Sequence, residues 1–253
     1  MKRLFGLVSL ALLHAAPAGA EEALTRWRID AVAAYSNLSD GLKPWRETAV
    51  VATYRPAAAV WLSAGLERSE RFGIRDDVGS VRVARTFTRG AAISGALAVS
   101  PDAHFRAQSS LQLSATTTPV LSGQGWRVVL GLDATASHYE IGDVQSLQPL
   151  ATISTPAGYA ISARLIEIWD ENRRRRTGYS LRVEAPLNPR ARISITYADA
   201  PETDAGRTIA TQSFSGSAGF DLSDATSLRM TGTHETRPSF DRDELALSVA
   251  RRF

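Results

Sequence analysis

From residue 25 to its end the chain alternates apolar and polar residues in short segments, and no stretch sustains the i, i+3, i+4 spacing of an amphipathic helix. Trp27, Ile29, Ala31, Ala33 and Tyr35 fall on one face, with Arg28, Asp30 and Ser36 on the other. Val60, Leu62, Ala64 and Leu66 oppose Ser63, Gly65 and Glu67; Tyr179, Leu181, Val183 and Ala185 oppose Ser180, Arg182 and Glu184. Trp126, Val128, Leu130 and Leu132 likewise oppose Arg127, Asp133 and Thr135, and Ala191, Ile193, Ile195 and Tyr197 oppose Arg192, Ser194 and Thr196. A period of two puts successive side chains on opposite faces of a strand, so each segment reads as a strand with one apolar and one polar face.

About fourteen such segments can be counted, near residues 25–36, 46–55, 59–69, 78–88, 90–99, 106–116, 125–139, 146–156, 158–169, 177–186, 190–198, 207–219, 225–235 and 242–253. Short connectors (Arg55-Pro56, Thr88-Arg89-Gly90, Thr155 to Gly158, Asn188-Pro189) alternate with longer polar ones: SNLSDGLKPW, ERFGIRDD and WDENRRRRTG. Short turns on one side and longer loops on the other predict an all-β chain closed as a transmembrane up-and-down antiparallel β-barrel of about fourteen strands, with twelve to sixteen allowed. A soluble sandwich would alternate too, but would need protected edges. A soluble barrel this wide would need apolar residues inside, where side chains do not reach across. A membrane barrel reverses the faces, and its closure leaves no backbone unpaired in hydrocarbon.

The first twenty residues fit an exported barrel. Lys2-Arg3, the apolar run LFGLVSLALL and the ending Ala18-Gly19-Ala20 form a charged, an apolar and a small-residue cleavage region, so residues 1–20 read as a secretory signal peptide. The run is too short for a spanning helix, which needs about 20 apolar residues. The barrel domain is then 21–253 and its location the outer membrane of a Gram-negative cell. Without Lys2 and Arg3 the 29 basic residues become 27 against 26 acidic ones, a balance that excludes nucleic-acid binding. No cysteine is present, so disulfides, thiolate metal sites and cysteine nucleophiles are excluded.

Aromatic residues gather at segment ends: Trp27, Tyr35, Tyr54, Trp126, Tyr159, Tyr179 and Tyr197. Rings with a polar tip settle at a lipid–water boundary and form girdles there. In the last strand Leu245, Leu247, Val249 and the terminal Phe253 share one face, opposite Glu244, Ser248 and Arg252. This resembles the C-terminal strand of outer-membrane barrels, whose terminal aromatic and alternating apolar residues are read by the barrel-assembly machinery. Arg251 stands where that pattern has an apolar or aromatic residue.

Four segments, LSDGLKPWRE (Leu38 to Glu47), YRP (Tyr54 to Pro56), ERSERFG (Glu67 to Gly73) and SPDAHF (Ser100 to Phe105), resemble the YaiO family of outer-membrane β-barrel proteins. The resemblance implies such a barrel over nearly the whole mature chain, with kinship to barrels through which exopolysaccharides leave the cell. Those exporters carry a periplasmic helical-repeat domain before the barrel, and here only the signal stands there. The family brings no catalytic residues.

Nothing else in the chain advertises catalysis. His14 lies in the signal, and His104, His138 and His234 have no metal-ligand partner at helical or hairpin spacing. No nucleophile elbow marks a Ser–His–Asp site, and no cofactor or metal is expected. Arg173 to Arg176, beside Asp170 and Glu171, reads as a solvated charged loop or as a grip on lipopolysaccharide phosphates. Ser100-Pro101-Asp102 and Ser39-Asp40-Gly41 read as turns whose side chains bond their local backbone.

The polar faces place Arg28, Asp30, Glu67, Arg82, Asp133, Arg164, Arg182, Glu184 and Arg192 toward the lumen. Charges of both signs brace strands or line a wet conduit of weak ion selectivity. The expected function is a pore or export barrel for small hydrophilic solutes or a glycan. Alternatives are a structural or surface-binding barrel and, behind both, a lipid-modifying enzyme. Expected partners are outer-membrane lipid and lipopolysaccharide, the barrel-assembly machinery and possible exopolysaccharide, around a monomer. If a loop fills the lumen, SNLSDGLKPW or WDENRRRRTG is expected to be that loop.

Overall fold

The computed structural model describes residues 26–87, 90–117 and 125–253. The expected signal peptide and the pair Thr88-Arg89 lie outside the described residues. Fourteen strands follow one another: β1 Trp27–Leu38, β2 Trp45–Ala57, β3 Val60–Arg71, β4 Ile74–Thr86, β5 Ala92–Val99, β6 Ser109–Thr117 and β7 Arg127–Tyr139. The second half runs β8 Gly142–Ser154, β9 Ala160–Trp169, β10 Arg175–Asn188, β11 Ala191–Asp204, β12 Arg207–Asp221, β13 Thr226–Thr236 and β14 Asp241–Arg252. Every strand pairs antiparallel with its neighbours in sequence, and β1 pairs with β14, from Arg28 opposite Arg252 to Leu38 opposite Arg242, closing the barrel. Phe253 and Trp27 exchange backbone hydrogen bonds at that seam, which marks the terminal end of the barrel.

The two faces of the wall are chemically opposite. Outward positions on β3 carry Leu62, Ala64 and Leu66, the last 74% exposed; on β10 they carry Tyr179, Leu181 and Val183, and on β14 Leu245, Leu247 and Val249. Ser, Thr and charged residues occupy the half-buried inner face between them. A continuous exposed belt of Leu, Ile and Val fits a hydrocarbon solvent and not water. Trp27, Tyr35, Trp126 and Tyr159 are exposed near strand ends, whereas Tyr179 and Tyr197 are exposed further inside the longer β10 and β11 than the sequence reading placed them; Trp27 packs on Tyr54 with ring centroids 4.8 Å apart. Above the belt, toward the far end, outward side chains become charged and pair across strands: Arg68 with Asp77 at 2.8 Å and His234 with Asp243 at 2.8 Å.

The connectors differ from expectation. ERFGIRDD contains only the two-residue turn 72–73, because its alternation continues as the ends of β3 and β4. SNLSDGLKPW and WDENRRRRTG keep connectors of 39–44 and 170–174, and the longest connector of the far end is 100–108. On the terminal side, Arg55-Pro56 and Asn188 belong to strand ends that carry register irregularities.

One hairpin leaves the wall. β11 pairs with β10 only as far as Asp199 opposite Tyr179, and β12 pairs with β13 only as far as Gln212 opposite Thr236. β11 and β12 nevertheless remain paired with each other to Asp204 opposite Arg207. The segment 200–211 is therefore a hairpin without neighbours on either edge.

Candidate functional site: a lumen with a packed far mouth

The free hairpin folds inward. A Cβ built on Gly178, at an inward position of β10, would lie 2.3 Å from Ala200 Cα and 2.6 Å from Asp199 O, so the backbone of β11 crosses over that glycine. Across the mouth, a Cβ on Gly206 would lie 2.8 Å from Tyr139 Cβ and 2.7 Å from Ile141 Cγ1, at the end of the β7–β8 hairpin. Gly206 also holds φ +76°, a left-handed conformation that favours glycine. The Thr208 backbone N–H donates to Glu171 Oε2 at 3.3 Å, which ties the tip to the 170–174 connector.

Beneath the tip sits a mixed cluster of aromatic rings and charges. Trp45, Phe105 and Phe240 are buried together, with Phe72 and Leu38 packed on them. Trp45 meets Phe72 and Phe240 edge-on at 5.8 and 5.6 Å. The guanidinium groups of Arg71, Arg237 and Arg242 stand 4.5, 5.2 and 5.2 Å from the Trp45 ring centroid. Desolvated cation–π contacts contribute about 2 kcal/mol or somewhat more each, against a cost of several kcal/mol for burying each charge, so the rings alone do not hold three buried guanidinium groups.

Carboxylates complete the balance. Arg237 pairs with Glu235, with Glu202 at 2.6 Å and with Asp204 at 3.5 Å, and the side chains of Arg237 and Asp204 are both 0% exposed. Arg242 reaches Glu235 at 2.8 Å and Glu244 at 3.3 Å. Arg106, from the 100–108 connector, pairs with Glu67 and with Glu47 at 2.9 Å, and donates to Ser69 at 2.7 Å. Asp76 fixes that connector by accepting the backbone N–H groups of His104, Phe105 and Arg106 at 2.8–3.0 Å. Ser100 Oγ donates to Asp77 O at 2.8 Å, so this serine bonds a neighbouring strand instead of its own turn.

Of the residues expected to line the lumen, Glu67 belongs to this far cluster and the others lie below it. Arg28 pairs with Asp30 at 2.6 Å, Arg164 with Asp133 at 3.1 Å, and Arg82 donates to Gln112 at 2.9 Å. Glu184 accepts from Arg182 at 3.0 Å and from Arg192 at 3.3 Å. Arg192 shares the inward parity of Ser194 and Thr196, but its side chain is 62% exposed because it stands at the terminal mouth. The Arg173 to Arg176 run divides: Arg173 and Arg174 are in the connector, while Arg175 and Arg176 open β10 and pair with Glu167 and Asp170.

The inward aromatics and Arg71, Arg106, Arg237 and Arg242 went unseen in the sequence reading, which placed aromatics only in girdles. A signal was present. Trp45, Phe72 and Phe105 each stand beside charged residues in the polar segments LSDGLKPWRE, ERSERFG and SPDAHF, and those segments, far apart in the chain, meet at one mouth. The described histidines each pair with an aspartate (His104 with Asp76 at 3.0 Å, His138 with Asp143 at 2.7 Å, His234 with Asp243), and among the described residues no group of three or more His, Asp or Glu is placed to hold a metal.

No protein-family model and no curated relative matches the sequence. Solved structures do match. Omp33, an outer membrane protein of Acinetobacter baumannii, superposes with a TM-score of 0.58 at 10% identity over 90% of this chain and 98% of its own. The CymD monoaromatic hydrocarbon channel gives 0.56 at 10% identity over 90% and 88%. Pseudomonas aeruginosa OpdK, solved with vanillate, gives 0.51 at 9% identity over 90% and 98%. The chain has the closed fourteen-stranded antiparallel barrel fold of these outer-membrane proteins. At these identities the likeness concerns the barrel itself, since side chains that would select a solute are not shared through it.

Proposed function

We propose that the protein is a porin-like outer-membrane channel for small hydrophilic solutes or a glycan, with its terminal end toward the periplasm and its far mouth, closed at rest, toward the outside. The observation that carries this reading is the inner face: a wall of Ser, Thr and paired charges running below a mouth filled by a hairpin that has neighbours on neither edge. A hairpin free of its wall can swing out without breaking the barrel's closing ladder. The likeness to channels supports the same reading, as do an expected signal at residues 1–20 and a last strand whose outward Leu245, Leu247, Val249 and Phe253 suit the barrel-assembly machinery. The resemblance of four segments to the YaiO family favours a glycan among the solutes, and the charged outer rim suits lipopolysaccharide around a monomer.

The packing of Arg237 and Asp204 at the mouth favours a second reading, a structural barrel that never opens. Single-channel recording in planar bilayers separates the two. Wild type is expected to be closed or to open briefly, and replacing residues 201–210 by an Asn-Gly turn is expected to give stable conductance. Silence from both proteins, each shown to be folded, would leave the structural barrel as the better reading.

A further inference from the structure

The sequence counts inward charges of both signs, but the fold sorts them. Near the terminal end, the inward Arg28 on β1, Arg182 on β10, Arg192 on β11, Arg229 on β13 and Arg252 on β14 share one side of the lumen with the carboxylates Asp30, Glu184 and Asp221. Arg229 was not singled out by the sequence reading. Its side chain forms no ion pair and no hydrogen bond among the described residues, although Arg28, Arg182 and Glu184 all lie within its electrostatic reach.

The wall around Arg229 is built from small side chains. Its register partners are Gly219 on β12 and Ser248 on β14, and a Cβ at Gly219 would lie 3.9 Å from Arg229 Nε. Beside them, the hydroxyls of Ser194 and Ser217 bond each other at 2.8 Å. Arg229 thus lies over a floor of Gly and Ser, with no bulky side chain as its register partner. The cluster is also wet: Arg182 is 38% and Arg192 62% exposed, so it opens on the terminal mouth and is reachable whether or not the far mouth opens. Guanidinium groups of like charge, half withdrawn from water and short of carboxylates, favour an incoming oxyanion, which each can bind through two parallel N–H donors.

We propose that this cluster is a binding site for the carboxylate, sulfate or phosphate group of an anionic hydrophilic solute, with Arg229 as its central donor and Glu184 as the internal competitor for Arg182 and Arg192. The inference deepens the channel reading by naming its solute class as anionic, but its test does not depend on conductance. Calorimetric titration of the folded barrel in detergent would use glucuronate, sulfate and, as the neutral counterpart, glucose. Glucuronate and sulfate are expected to bind and glucose not. Arg229→Gln should weaken glucuronate about tenfold, and Glu184→Gln should tighten it severalfold by freeing two guanidinium groups. Arg68→Gln, on the outer rim, should change nothing. A folding defect would weaken both lumen variants, so opposite signs are diagnostic. Equal binding of glucose and glucuronate, or folded Arg229→Gln and Glu184→Gln barrels that bind like wild type, would overturn the proposal. Silence in the bilayer beside this binding pattern would reject the channel and leave the site standing.

Discussion

Arg237 shows how a single residue commits the far mouth. Its guanidinium is fully buried and lies against Glu235, Glu202 and Asp204, so removing it leaves three carboxylates in a desolvated space. Breaking a buried ion pair by deleting one partner costs about 3–5 kcal/mol, whereas the pair as a whole contributes far less than its Coulomb energy suggests. Arg237→Ala should therefore either loosen the mouth or lower the unfolding free energy, read from the denaturant midpoint and slope, by an amount in that range. Glycine at position 178 is constrained by shape instead. A methyl group there would enter the space of the Ala200 and Asp199 backbone, so Gly178→Ala should displace the hairpin at a cost of about 1–3 kcal/mol while the barrel stays closed. Tryptic cleavage after Arg207 in intact barrels should rise, and unchanged protection would show that β11 does not depend on that close approach.

At the scale of elements, the last strand and the 170–174 connector make separate predictions. Leu247 faces outward in the apolar belt and Ser248 inward. A charge in the belt costs on the order of 2–4 kcal/mol at mid-membrane, so Leu247→Asp should cut the yield of folded barrel while Ser248→Asp is tolerated. Equal yields would contradict the assignment of faces. In the connector, burial by itself would raise the Asp170 carboxyl. The backbone N–H groups of Arg174 and Asn172, at 2.8 and 3.0 Å, and the Arg176 guanidinium at 3.2 Å outweigh it and hold the group below the ordinary carboxylate range. A depressed folded-state value means that this bonding supports the connector fully above the ordinary carboxylate pKa and is lost as pH falls through the lowered one. Amide exchange at Asn172 and Arg174 should accelerate in that acidic window, and Asp170→Asn should remove the dependence.

For the whole molecule, closure is the dominant fact. With β1 hydrogen-bonded to β14 the barrel wall has no edge strand, so the barrel should resist detergent until heated and migrate differently in gels before and after boiling. The protein is expected to fractionate with outer membranes and to begin near Glu21. A native soluble pool would count against that location.

Strand number, order of faces and closure were legible in the sequence because each follows from a local period of two and from short connections between neighbours, and β10 and β14 show this residue by residue. Arg28, Arg182 and Glu184 could be placed on the inner face by the same parity. What parity cannot say is how far a side chain lies from one on a distant strand, so it could neither bring Arg229 beside Arg28 and Arg182 nor gather Trp45, Phe72, Phe105 and Phe240 at one mouth. ERFGIRDD looked like a loop because charged outward residues above the lipid belt mimic loop composition while still alternating in a strand. The inward fold of the β11–β12 hairpin was decided by tertiary structure alone. Its tip leaves both neighbours because the far interior of so wide a barrel offers buried counter-charges, Arg237 above all, that no stretch of local sequence contains.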